Sequence, residues 1–335
     1  MDRSSLRNTG TAFNNNESPV AALPRLIIIQ GPTATGKSEL AVRLAELFNG
    51  EIIGADSLQL YRGMEIGSAA PGVDLKARVR HHLIGTLDPK IPFTAADYSR
   101  EATRIISGIL DRGHTPFVVG GTGLYLKALL GGLIDAPAGN EELRKQLVAR
   151  ADQEGSGALL EELARLDPAA ATRLHVNDRL RIIRALEVCL TTGRPFSVMV
   201  SEHGFGEVRY DVLKIGLTGD RKELYRRTEE RVDKMIASGL VAEVTRLLAC
   251  GYSPELKCMR AIGYKEICRH LSGGLTLDEA VDLIKRDTRR YLKRQLTWFL
   301  RDPDTKWFEY PESFASIHSV VLKFIMSGHT DETLY

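Results

Sequence analysis

Six residues, RLIIIQ (Arg25–Gln30), form an apolar run that leads without a linker into Gly31-Pro32-Thr33-Ala34-Thr35-Gly36-Lys37-Ser38. The second stretch fits G-x-x-x-x-G-K-[ST], and KSELAVRLAELF (37–48) follows it with Leu40, Leu44 and Leu47 at helical spacing. Strand, glycine-rich turn and helix in that order are what a phosphate-binding loop requires. The glycines let the backbone curl so that its N–H groups face an anion, and the helix N-terminus adds partial positive charge. Lys37 supplies a full charge, and the Ser38 hydroxyl is suited to hold Mg²⁺. The motif specifies an oligophosphate without saying which one.

The same rhythm continues. EIIGA (51–55), PFVVG (116–120) and DVLKIGL (211–217) read as further strands. A capping box at Thr94-x-x-Asp97 predicts a helix over about 95–111, and Asp220-x-x-Glu223 and Thr276-x-x-Glu279 mark later helix starts. Strands alternating with helices predict an α/β core, a parallel sheet flanked by helices. Residues 138–205 break the pattern: they are rich in Ala, Leu, Glu and Arg with little β-branching, and predict a helical insertion. The expected organisation is a flexible N-terminal tail (1–24), an α/β core from 25–137 and 206–312 whose later part is helical, the insertion (138–205) and a C-terminal tail (313–335).

Asp56 follows the second strand and Thr122 the third, in Gly120-Gly121-Thr122-Gly123. In parallel α/β sheets the ligand crevice lies beyond the carboxyl ends of the strands, so Lys37, Asp56 and Thr122 are able to converge. Asp56 can serve as a general base, hold Mg²⁺ or simply cap a turn. Phosphoryl-transfer enzymes of this architecture often carry an acidic residue where this chain has Thr122, which argues against ordinary kinase chemistry. The adjacent His81 and His82 lack metal-ligand spacing and are expected to be structural.

The net charge of +2 over 335 residues conceals segregation. Residues 179–194 carry +3, residues 285–301 carry +6, and residues 302–335 carry −4. The 285–301 segment, with Tyr291, Trp298 and Phe299 interleaved, suits either a phosphate backbone or a solvated helix face with its aromatics in the core. No apolar run approaches the ~20 residues of a membrane span. The first 24 residues lack a secretory h-region, and Cys189, Cys250, Cys258 and Cys268 form no C-x-x-C pair. A soluble cytoplasmic protein is expected, and nothing demands more than a monomer.

Seven stretches together carry a resemblance: GPTATGKS (31–38), ADSLQLYRGMEIGSAAP (55–71), HHLIG (81–85), VGGTGLYLKALLGGL (119–133), HVNDRLRIIRALEV (175–188), MRAIGYKE (259–266) and TRRYLKRQLTWF (288–299). Over about residues 25–310 the chain resembles the tRNA dimethylallyltransferases, or isopentenyl-diphosphate:tRNA transferases, of the bacterial type. The resemblance implies a P-loop NTPase-like core with a helical insertion domain that grips tRNA. It implies transfer of the dimethylallyl group from dimethylallyl diphosphate to N6 of the adenosine 3′ of the anticodon, with Mg²⁺ as cofactor. By resemblance Asp56 is the general base and Thr122 assists at the reacting centre. Gly31, Pro32, Thr33, Ala34, Thr35, Gly36, Lys37, Ser38 and Arg231 bind the diphosphate, and Arg227 resembles a position that helps with the diphosphate or the RNA. Asp56, Ser57, Leu58, Gln59, Thr122, Arg144, Leu180, Arg181, Ile182, Ile183, Arg184, Arg260, Gly263 and Tyr264 face the tRNA anticodon stem-loop.

The chain departs from the family pattern at Gly67-Ser68-Ala69-Ala70-Pro71, where G-T-A-K-P is usual, and at Arg80 and Gly85, where Pro and Asp are usual. The C-terminus carries no C-x-x-C of the kind found in eukaryotic zinc-finger homologues. Three rivals share parts of the pattern: a phosphate-loop small-molecule kinase, an adenylate isopentenyltransferase acting on a free nucleotide, and a non-catalytic RNA-binding nucleotide switch. The first leaves Gly121-Thr122 and the basic insertion unexplained. The second needs neither the insertion nor Arg181 and Arg184, and the third needs no Asp56.

Overall fold

The computed structural model describes residues 23–327 apart from 135 and 138. Its strands are β1 (Arg25–Gln30), β2 (Gly50–Gly54), β3 (His81–His82), β4 (Thr115–Gly120), β5 (Asp211–Thr218) and β6 (Lys306–Glu309). The helices are α1 (Lys37–Leu47), α2 (Val73–Arg78), α3 (Ala95–Asp111), α4 (Gly123–Gly131), α5 (Glu141–Leu166), α6 (Pro168–Arg173), α7 (Arg179–Thr192), α8 (Phe196–His203), α9 (Arg221–Ala237), α10 (Leu240–Ala249), α11 (Tyr264–Leu271), α12 (Leu277–Phe299) and α13 (Phe314–Met326).

The six strands form one parallel sheet in the order β3-β2-β4-β1-β5-β6. The apolar strands have side chains buried on both faces, as a covered parallel sheet demands. On β1, Ile27 and Ile29 pack towards α1 and α13, while Leu26 and Ile28 pack towards α3 and α4. The capping boxes at Thr94/Asp97 and Thr276/Glu279 are formed, and the Asp220 side chain accepts from the Glu223 amide. Each satisfies amides that a helix start leaves orphaned.

Two strands lie outside the sequence expectations. β3 is only two residues long, and β6 is a half-exposed KWFE edge without the apolar run of its neighbours. Residues 313–335, expected to be a tail, carry α13, whose Ile317 and Val321 are fully buried against β5 and α1. Its FASIHSVVLKFIM sequence presents an apolar face that the acidic charge balance of 302–335 obscures. The tail expected over residues 1–24 lies outside the described residues, except for 23 and 24.

Helices α5 to α8 build a separate apolar cluster around Leu147, Leu159, Leu163, Ile182 and Leu186. Helices α9 to α12 form another, around Val244, Leu247, Tyr264, Ile267 and Ile284, which also packs Tyr61 and Met64 from the segment after β2. This last cluster roofs the carboxyl ends of the strands.

At the opposite end of the sheet, Glu51 on β2 is 3% exposed. It accepts from His82 Nε2 at 2.6 Å, from His114 Nδ1 at 2.8 Å and from Arg112 Nε and Nη2 at 2.9 Å each. Burial raises its pKa, but the bonds from His82, His114 and Arg112 outweigh burial and bring it to about 2. Of the adjacent histidines, His82 is thus tied to Glu51, and His81 Nδ1 donates to Val79 O at 2.7 Å. Because the folded pKa lies below the ordinary 4.5, the stabilisation is complete above pH 4.5 and is lost as pH falls towards 2. Glu51→Gln is expected to lower unfolding free energy by about 2 kcal/mol at pH 7. That is less than the ~3–5 kcal/mol of a wholly buried pair, because Arg112 and His114 keep contact with water. The variant's acid unfolding curve is expected to be flatter below pH 4.5. Urea titrations at pH 7 and pH 3 measure both effects, and equal wild-type and variant stabilities at pH 7 would contradict them.

Candidate active site

The register brings three loops side by side. Gln30 on β1 lies beside Gly120 on β4, and Val119 lies beside Gly54 on β2. The phosphate loop, the Asp56 segment and the Thr122 segment therefore leave adjacent strands at one level. They are tied directly: the Thr122 amide donates to Ala55 O at 3.1 Å, and Thr122 Oγ1 accepts from the Ser57 amide at 3.1 Å. Gly120 is required here, because a Cβ would sit 2.1 Å from Ala55 O. Between these loops and the α9–α12 roof opens a cleft of ≈ 630 Å³.

One end of the cleft is built to hold an anion. Gly36 adopts φ +87° as the loop turns into α1, a conformation glycine reaches without cost. Lys37 Nζ donates to Pro32 O at 2.5 Å, and Arg231 on α9 donates to Thr33 Oγ1 at 3.0 Å. Desolvation, then the nearby Arg231 charge, lower the Lys37 pKa to about 7, with Asp56 acting in the opposite direction. Desolvation also lowers the Arg231 pKa. Two cations held together against their mutual repulsion favour a multiply charged anion between them.

The same cleft carries a carboxylate. Asp56 Oδ1 accepts from the amides of Leu58 at 2.9 Å and Gln59 at 3.2 Å, while Oδ2 has no hydrogen-bond partner among the described residues. One oxygen fixes the rotamer and the other is left for a proton. The Gln59 side chain in turn donates to Ser68 O and Ala69 O, and the carboxylate of Glu243 on α10 accepts from the amides of Ile66 and Gly67. These bonds hold the Gly67–Ala70 loop, with Ala69 at φ +47°, at the cleft wall despite its departure from the family pattern.

Of the sequence-derived site residues, Thr33, Ala34, Gly36, Lys37, Ser38, Asp56, Ser57, Leu58, Gln59, Arg231, Arg260 and Gly263 line this one cleft, and Thr122 borders it through Ser57. Others do not reach it. Thr35 is buried and donates internally to Pro32 O at 2.9 Å. Arg227 pairs with Glu223 on its own helix at 2.7 Å. Arg144 and the 180–184 run lie in the insertion.

Three of the expected tRNA contacts need correction. Ile182 and Ile183 are buried in the insertion core, on the same face of α7 as Leu186 and Cys189. Tyr264 is fully buried, and its hydroxyl donates to Glu243 Oε1 at 2.7 Å. Their side chains hold helices together and cannot touch RNA. Leu180, at 81% exposure, and Arg181 do face solvent. Arg144 and Arg184 are both committed to the buried carboxylate of Glu187, at 2.9 and 2.8 Å.

The basic helix α12 is double-faced. Lys285, Arg286, Arg289 and Arg290 are paired with Asp233, Asp287, Glu229 and Asp287 respectively. Lys293 and Arg294 have no ion-pair partner among the described residues. The inward face presents Ile284, Thr288, Tyr291 and Gln295 to the cleft. Burial, reinforced by the Asp56 charge, raises the Tyr291 pKa. Gln295 and Tyr291 were missed as site residues because the count of charges on this helix hid its i, i+4, i+7, i+11 inward row, the available signal.

The model of the IPP transferase family matches residues 59–302. A protein named tRNA dimethylallyltransferase 2 from Geotalea uraniireducens (strain Rf4) is 60% identical over 300 residues, 90% of this chain and 97% of its own. The tRNA dimethylallyltransferase of Geobacter sulfurreducens is 57% identical over 300 residues, covering 90% of this chain and 96% of its own. Among solved structures, the full-length tRNA isopentenylpyrophosphate transferase from Bacillus halodurans superposes with a TM-score of 0.68 at 39% identity, covering 92% of this chain and 99% of that one. A eukaryotic dimethylallyltransferase acting on tRNA gives 0.75 at 27% identity, covering 91% and 80% respectively.

Proposed function

The chain belongs to the IPP transferase family, and on that premise we propose that it is a tRNA dimethylallyltransferase: it transfers the dimethylallyl group of dimethylallyl diphosphate to N6 of the adenosine 3′ of the anticodon. The observation that carries this reading is a single cleft that brings together the Lys37 and Arg231 cations and the Asp56 carboxylate, whose Oδ2 has no hydrogen-bond partner among the described residues. The exocyclic amine of adenine is a weak nucleophile because its lone pair is delocalised into the ring. As N6 bonds to C1 of the allyl group, Asp56 accepts the N6 proton, and the C1–O bond breaks to release diphosphate. Lys37, Arg231 and the loop amides neutralise the charge that grows on the leaving oxygen.

Magnesium fits the donors present. Ser38 at the cleft offers a hard oxygen, and among the described residues no group of three His, Cys, Asp or Glu is placed to hold a metal. Such a site suits an ion that takes most of its ligands from a diphosphate and water. When bound, Mg²⁺ adds charge neutralisation at the leaving group.

The adenosine must leave its stack to enter the cleft, so the surrounding loop has to be gripped. Exposed Arg181, Arg260, Lys293 and Arg294 are suited to phosphates. Arg181→Ala is expected to reduce the salt slope of stem-loop binding by about one phosphate contact. Arg144→Ala is expected instead to lower the melting temperature, because it strips a partner from buried Glu187. An unaltered slope in Arg181→Ala would remove that arginine from the interface. Among the described residues no helix is long and apolar enough to cross a membrane.

The test is a transfer assay with labelled dimethylallyl diphosphate, Mg²⁺ and an anticodon stem-loop, beside AMP and ATP. A five-carbon mass gain on the adenosine 3′ of the anticodon supports the reading. Label on AMP or ATP moves the assignment to a free-nucleotide prenyltransferase, and no transfer with intact RNA binding overturns the enzyme reading.

A further inference from the structure

One side chain joins two of the three catalytic loops. Gln295 on α12 is 6% exposed. Its Oε1 accepts from the Thr33 amide at 2.9 Å, and its Nε2 donates to Gly121 O at 2.9 Å. The fit is tight: a Cβ at Gly121 would lie 2.3 Å from Nε2. Thr33 is the phosphate-loop residue whose Oγ1 also receives Arg231, and Gly121 immediately precedes Thr122. Only a primary amide offers an acceptor and a donor on one rigid plane at this length. Glutamate keeps the acceptor and loses the donor, and methionine keeps the shape and loses both.

We propose that Gln295 is a positioning residue that sets the separation between the phosphate loop and the Thr122 loop. The inference rests on the prenyl-transfer reading and deepens it. The leaving diphosphate is held by one loop and the acceptor amine is met beside the other. Their spacing fixes whether the allyl carbon lies in line between nucleophile and leaving group. Gln295 projects from the helix that carries exposed Lys293 and, at the cleft, Arg294, so the element suited to RNA also sets the geometry of the donor site. Misplacement by about 1 Å is enough to cost on the order of 10²-fold in rate.

The experiment compares wild type, Gln295→Met and Gln295→Glu in four measurements: steady-state transfer, stem-loop dissociation constant, melting temperature and amide hydrogen exchange of Thr33. For Gln295→Met, kcat/KM for dimethylallyl diphosphate is expected to fall ~10–10²-fold. Thr33 exchange accelerates, while stem-loop affinity and melting temperature stay near wild type. For Gln295→Glu, Thr33 remains protected and transfer still falls, because the bond to Gly121 is lost. Donor parameters within about twofold of wild type in both variants overturn the proposal. So does a parallel fall of transfer, RNA affinity and melting temperature, which marks a purely structural glutamine. A wild type that transfers nothing overturns the functional reading instead, and inorganic pyrophosphate binding by the same variants then decides the role of Gln295.

Discussion

Asp56→Asn is expected to lose ~10²–10⁴-fold in kcat, the contribution of a positioned general base, with stem-loop affinity and melting temperature close to wild type. Asparagine is the informative substitution because Asp56 does two jobs. Its Oδ1 accepts from the Leu58 and Gln59 amides, and an asparagine carbonyl keeps both bonds. Alanine removes the base and the turn cap together, adding a structural loss on the order of 1 kcal/mol that blurs the comparison. In Asn the remaining group at the cleft is an NH₂, which cannot take the N6 proton. Single-turnover assays with saturating donor and stem-loop isolate the chemical step from product release. Activity within tenfold of wild type would remove Asp56 from the role of base and return it to the turn.

The contrast between the two oxygens of Asp56 shows how far local sequence reached. The phosphate loop, its flanking strand and helix, and the capping boxes at Thr94 and Thr276 are determined by residues within four or five positions of one another. Their sequence patterns therefore survive without knowledge of the rest of the chain. The convergence of Lys37, Asp56 and Thr122 followed from a single rule about parallel sheets. What sequence alone did not yield depends on contacts across hundreds of residues. Gln295 meets Thr33 262 positions away, and Glu243 meets Gly67 176 positions away. Both are buried polar residues, and their role becomes visible only once their partners are placed.

Ile182, Ile183 and Tyr264 fail in the opposite direction. A motif carried over by resemblance treats consecutive positions as equivalent, whereas a helix turns 100° per residue and divides a run of five between solvent and core. Arg181 faces solvent and Ile182 the core for that reason alone. The spacing of Ile182, Ile183, Leu186 and Cys189 already marked an inward face. β6 and α13 are obscured differently: the edge strand is short and half-exposed, and the acidic charge balance of residues 302–335 masks the apolar face of α13.

The phosphate loop supplies the other large effect. Lys37→Met is expected to raise the dissociation constant for pyrophosphate and to lower kcat ~10²–10³-fold, the range for losing one preorganised donor to a developing anion. The pH dependence carries the more specific signature. In the free protein the Lys37 pKa lies at about 7, against 10.5 ordinarily, because of desolvation first and Arg231 second. An anion between the two cations favours the charged lysine and raises its pKa again. Below pH 7 the lysine is already protonated, so binding draws no proton through it. Between pH 7 and 10.5 binding must take up a proton, and wild-type affinity is expected to weaken as pH rises. The titration of pyrophosphate itself is common to wild type and Lys37→Met, so the difference between their affinity–pH curves isolates the lysine. That difference is expected to be largest at pH 7 and below and to shrink as pH rises. Calorimetry at pH 8.5 in two buffers of different ionisation enthalpy counts the proton directly. A constant difference from pH 6 to 9, or no greater proton uptake by wild type than by the variant, would mean that Lys37 keeps its charge without the anion and that Arg231 is too distant to perturb it.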